Sequence, residues 1–113
     1  NAQNKKFVSG FKKAYGRYPS FYAAQSYDTI FLIKSAVEAV NGNLSDINGM
    51  RAAMKKATFP SVRGKFSYGN NHFPIQNFYS REVISDSDGV WTTAVRKVVL
   101  ENHQDTYAKN CKM

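Results

Sequence analysis

Phe21, Tyr22 and Gln25 are the residues of this chain whose types and spacing bear most directly on chemistry, and that chemistry is recognition. They lie in the run Pro19-Ser20-Phe21-Tyr22-Ala23-Ala24-Gln25-Ser26-Tyr27-Asp28, which opens an unusually apolar helix. An aromatic ring offers a large apolar contact area with few rotors to freeze. A glutamine amide one turn after Phe21 is able to hydrogen-bond a carboxylate. The same residues have a plainer reading: rings at a helix start pack into a core, and a glutamine on an early turn is solvated. Tyr27 and Asp28 read as structural.

The remaining reactive side chains do not assemble into a reaction centre, and no enzyme activity or cofactor is expected. There is no Gly-x-Ser-x-Gly elbow and no carboxylate pair in an apolar setting. His72 and His103 lack a His, Cys or acidic residue at metal-ligand spacing and read as surface histidines. Asp86-Ser87-Asp88-Gly89 superficially matches a calcium loop, but an EF-hand needs a Glu at the twelfth position, where Lys97 stands, so it reads as a hairpin turn. Asn43-Leu44-Ser45 is a glycosylation sequon that Ser45 explains as a helix cap. The single cysteine, Cys111, sits in the polar tail Tyr107-Ala108-Lys109-Asn110-Cys111-Lys112-Met113. It is either a free solvent-facing thiol or, in an exported protein, the partner of a thiol outside this chain.

The elements that must position these residues follow from periodicity and punctuation. Phe7, Phe11 and Tyr15 fall at i, i+4 and i+8, which predicts an amphipathic helix over 3–15, stopped by Gly16. Pro19 prevents continuation and Ser20 caps a second helix over 20–40. Its run Ile30-Phe31-Leu32-Ile33 covers the whole helical circumference, so burial on several sides is expected. Asn41-Gly42-Asn43 ends it, and Ser45 is expected to cap a third helix over 45–57 with Ile47, Met50 and Met54 facing inward. Beyond Phe59-Pro60 the pattern turns to strands, over 63–68, 75–85 and 90–100. The last two are joined by Asp86-Ser87-Asp88-Gly89 as a hairpin, and residues 101–113 form a polar tail.

Composition bounds the rest. The chain has 113 residues, 42% hydrophobic and 14% aromatic, enough for one small core, and no run approaches the ~18 apolar residues of a membrane span. It opens Asn1-Ala2-Gln3 without an initiator Met or a secretory signal, so it reads as a processed or truncated product. The formal charge of +8 raises a nucleic-acid hypothesis, and a small basic nucleic-acid module or a protein interaction domain is the alternative reading. The basic residues come instead as scattered pairs, Lys5-Lys6, Lys12-Lys13, Lys55-Lys56 and Arg96-Lys97, with no recognition motif between them, so no nucleic-acid partner is expected. Three helices and three strands leave the broad apolar face of the second helix without a sheet to cover it, so a covering element outside these residues, self-association or exchange of elements with a second copy is expected.

The order and junctions of these elements resemble the C-terminal segment of the periplasmic solute-binding proteins of branched-chain amino acid type ABC importers, the type I periplasmic binding fold. The resemblance rests on Phe11-Lys12-Lys13-Ala14-Tyr15-Gly16, on the Pro19–Asp28 run, on Met50-Arg51-Ala52-Ala53-Met54, and on Val62-Arg63-Gly64-Lys65-Phe66-Ser67-Tyr68-Gly69-Asn70-Asn71-His72. The segment His72-Phe73-Pro74-Ile75-Gln76 and the tail around Cys111 look most like the branch that takes aromatic or other hydrophobic carboxylates. The resemblance implies an α/β fold in which this chain is a single C-terminal segment of a two-lobed protein, with the partner strands of the parallel sheet absent. It implies a protein exported to the periplasm or cell exterior that closes on a small solute, an aromatic or branched aliphatic carboxylate or amino acid, and delivers it to a membrane permease without making or breaking a bond. It further implies a partial ligand site at Tyr22, with Phe21 and Gln25 as neighbours, and a disulfide from Cys111 to a cysteine upstream of Asn1.

Overall fold

The computed structural model describes residues 1–112 and arranges them as two compact units, 1–68 and 69–112. The first unit holds helices α1 (Ala2–Tyr15), α2 (Phe21–Ala39) and α3 (Ile47–Lys56) and closes with the two-residue strand β1 (Ser67–Tyr68). The second holds strands β2 (Pro74–Ser85) and β3 (Trp91–His103), followed by a single 3₁₀ turn, Ala108–Asn110. This is the expected α/β sequence of three helices, a strand and a hairpin. Among the described residues no helix is long and apolar enough to cross a membrane.

Each helix begins and ends on identifiable chemistry. The Asn1 side chain accepts from the Asn4 N–H at 2.7 Å and caps α1, while its own amide donates to the Ser61 carbonyl at 3.1 Å. Gly16, at φ 66°, closes α1 in the left-handed conformation with its N–H on the Lys12 carbonyl. Ser20, in extended backbone, caps α2 through Oγ to the Ala23 N–H. The cap of α3 is Asp46 and not Ser45: its carboxylate accepts from the Gly49 N–H at 2.9 Å, and the Ser45 N–H is held by the Asn43 side chain. A Cβ on residue 49 would run into that carboxylate and into Val40, so Gly49 makes room for the cap.

Ala57 ends α3 in the left-handed region at φ 48°, a conformation that costs an L-residue with a Cβ roughly 1 kcal/mol. Ala57→Gly is therefore expected to stabilise the chain by about 0.5–1 kcal/mol, read as a higher urea midpoint at unchanged m-value.

The core of the first unit is small. Phe7 is 6% exposed, and Ala36 and Val62 are buried with it. Phe7 packs its ring 4.8 Å from Tyr27, which in turn lies 4.9 Å from Phe31, so α1 is held to α2 through an aromatic row. Asp28 is buried as well and accepts three hydrogen bonds from the segment after α3: Ser61 Oγ at 2.6 Å, the Val62 N–H at 2.9 Å and Arg63 Nε at 3.0 Å. This clasp explains why the strand expected over 63–68 shrinks to Ser67–Tyr68. Ser61 to Arg63 are pinned to α2, and Gly64 at φ 100° takes the backbone out of the extended region.

Two further expectations are corrected. Ile47 does not face inward: it is 57% exposed, while Met50 and Met54 are half-buried. The second helix is not buried on several sides within this chain; only Asp28 and Ala36 are buried, and Ile30 is 65% exposed. Tyr22, Ser26, Ile30 and Ile33 form one exposed stripe, because positions 4, 8 and 11 residues apart return to within about 80° of each other on a helix.

In the second unit β2 and β3 pair antiparallel from Ser85↔Trp91 to Gln76↔His103, with breaks in register at Gln76/Phe78, Phe78/Tyr79 and Ser80/Arg81. The turn is the Asp86–Gly89 segment, with Gly89 at φ 77° and the Asp86 carboxylate accepting from the N–H groups of Asp88 and Val90. β3 runs three residues past the expected end, to His103, whose ring meets Phe78 edge-on. The tail is tied back by Asn70, whose amide donates to the carbonyls of Ala108 and Cys111.

Candidate functional site

The start of α2 owes its form to three residues before it. Gly16 stops one helix, Pro19 fixes the backbone, and Ser20 satisfies the Ala23 N–H. Phe21 and Tyr22 are then the first two helical residues, and both project outward: Phe21 is 60% and Tyr22 76% exposed. Their rings stand edge to face, 6.0 Å between centroids. Gln25 is half-buried one turn on, about 40° around the helix from Phe21 and about 60° from Tyr22. The three residues named from sequence thus share one end of one helix.

The electrostatics of this end are simple. No acidic residue occupies the first turn of α2, and none precedes Asp28 anywhere in the chain. The partial positive charge of the helix start is therefore not neutralised by a neighbouring carboxylate. Two ring faces beside first-turn N–H groups and a glutamine amide suit a ligand with an apolar body and a negatively charged head.

Other side chains are placed for structure. Asp28 and Arg63 form the clasp described above, with the Arg63 guanidinium over the Phe66 ring at 4.9 Å. Lys34 pairs with Glu38 along α2, and Arg96 with Glu82 across the hairpin. Among the described residues no group of three or more His, Cys, Asp or Glu is arranged to hold a metal ion. The Cys111 thiol is half-buried and unpaired among them.

A cleft of about 300 Å³ lies between the end of α2 and α3, floored by Ser35, Ala39, Gly49 and Ala53, with Asp46 and Lys56 also lining it. Sequence reading did not single it out. Its only signal was the set of small residues at positions 49, 52 and 53. It is separate from the start of α2, since Ser35 lies about 21 Å along the helix axis from Phe21.

Residues 1–89 match the periplasmic binding protein family. Over the whole chain the fold superposes on a solved structure at TM-score 0.84 with 34% sequence identity. That structure is a solute-binding protein of an ABC transporter from R. palustris in complex with benzoate, and this chain spans 30% of it. No match is found among curated protein sequences. The chain belongs to the periplasmic binding protein family and shares its type I fold.

Proposed function

We propose that this chain is part of the extracytoplasmic solute-binding component of an ABC importer and that it contributes one wall of the ligand cleft. The ring of Tyr22 lies against the apolar body of an aromatic carboxylate, Phe21 flanks it, and the Gln25 amide approaches the carboxylate. The remaining walls belong to residues outside this chain. The intact protein acts outside the cytoplasm, in the periplasm or beyond it, hands its solute to a membrane permease, makes and breaks no bond, and pairs Cys111 with a cysteine elsewhere in its sequence. One observation carries the reading: uncovered aromatic rings on a capped, acid-free helix start, in a chain 34% identical over its full length to a protein holding benzoate.

A thermal-shift series on the intact protein tests the ligand class. Benzoate-type acids at about 100 times Kd are expected to add about 2.7 kcal/mol of stability, while leucine and valine add little. Equal shifts with the branched amino acids would move the assignment to the aliphatic branch, and no shift with either class would remove it. Tyr22→Ala is expected to weaken benzoate binding about 10- to 100-fold at unchanged melting temperature of the free protein. Unaltered affinity in titration calorimetry returns Tyr22 to a structural role.

A further inference from the structure

The net charge of +8 is not spread over the molecule. Residues 1–68 carry eleven Lys and Arg against three Asp and Glu, whereas residues 69–113 carry five of each. All three acids of the first unit are engaged: Asp28 with Arg63, Glu38 with Lys34, and Asp46 as the cap of α3. α1 contains no acid at all. Its four lysines, Lys5, Lys6, Lys12 and Lys13, look like two separate pairs in sequence. At about 100° per residue they fall within one arc of about 120° that otherwise holds only Ala2 and Ser9. Lys5, Lys6 and Lys13 are exposed, and Lys12 lies with its ammonium 4.7 Å from the Tyr18 ring centroid.

We infer that this lysine face of α1 docks the protein on an anionic lipid surface, the phosphate headgroups of the bilayer in which its permease sits. Two features favour lipid over an acidic protein. The face uses lysine alone, a hydrated point charge on a flexible stem, and lacks the arginine fork suited to a fixed constellation of carboxylates. It also extends about 12 Å along the helix with no large apolar anchor, a pattern that suits a diffuse layer of charge requiring no register. On the apolar side of α1 Phe7 is buried against Tyr27 and Phe11 is half-buried beside it, which leaves Tyr15 as its one exposed ring, too little apolar surface for insertion, so the helix rests on the headgroups. Such contact concentrates the binder at the membrane while leaving it releasable by salt.

Sedimentation of the intact, ligand-free protein with phosphatidylcholine vesicles, with and without phosphatidylglycerol, tests this without reference to the ligand site. Binding is expected only to the anionic vesicles, and it should vanish at about 0.5 M salt, where screening is nearly complete over a few ångströms. Combining Lys5→Gln, Lys6→Gln and Lys13→Gln, with Lys12 left over Tyr18, should weaken partitioning about fivefold per lysine, on the order of a hundredfold in all. Combining Arg51→Gln, Lys55→Gln and Lys56→Gln removes the same charge from α3 and should change binding less than about fivefold. Equal loss from the two triple variants, equal binding to both vesicle types, or persistence in high salt overturns the proposal. Lysine-dependent capture by the permease in a purely zwitterionic bilayer, with no binding to anionic vesicles, overturns it in favour of an acidic protein surface.

Discussion

Asp28→Ala is expected to destabilise the protein by about 3–5 kcal/mol. The carboxylate is buried and accepts from Ser61 Oγ, the Val62 N–H and Arg63 Nε, so its removal strands three donors at once. Two of them sit on residues that are themselves buried, Ser61 and Val62, and a buried donor left without a partner costs about 1–3 kcal/mol. The Arg63 side chain is 18% exposed and loses its counter-charge in a place where water compensates poorly. Urea unfolding of the intact protein, followed by circular dichroism, reads the loss directly. Asp28→Asn keeps the size and one acceptor, so it should cost clearly less than the alanine. Equal midpoints for wild type and Asp28→Ala would show that the network contributes nothing net.

The second large effect is expected at Phe7. It is the only large apolar side chain of α1 that is buried, and its ring contacts Tyr27 and Phe11. Phe7→Ala removes a full ring from a small core and should cost about 3–5 kcal/mol, while Phe7→Leu, which keeps most of the volume, should cost less than about 1.5 kcal/mol. Because α1 is tied elsewhere chiefly through Asn1 to Ser61, the alanine variant should also speed amide exchange within α1 more than within α2. Equal protection of the two helices in that variant would mean that α1 is held by something other than this ring.

What the sequence disclosed and what it hid divide along a physical line. Gly16, Pro19, Ser20 and Gly89 act within a few residues of themselves, and they marked the C-terminal end of α1, the start of α2 and the hairpin turn. Ser45 and Asp46 are both good caps in adjacent positions. The cap is Asp46, whose carboxylate reaches the Gly49 N–H through the space that the glycine leaves. The shortened first strand was not legible at all, since it depends on a bond from Asp28 to residues 33–35 positions away. The opening of α2 was legible as aromatic and capped. The grouping of the four lysines of α1 followed from the expected helix, but that Lys12 rests over Tyr18 while Lys5, Lys6 and Lys13 stay exposed did not.

The hairpin carries a last consequence. Trp91, Val83, Val95 and Val99 are exposed along a ribbon of two long strands, the composition that ordinarily favours edge-to-edge aggregation. Its three breaks in register interrupt the row of backbone groups that a second ribbon would need to copy. At one irregular point the Asn102 N–H, on a residue at φ 44°, is already taken by the Asn77 side chain at 2.8 Å. The irregularity is therefore expected to disfavour edge-to-edge pairing of this apolar ribbon with a second copy.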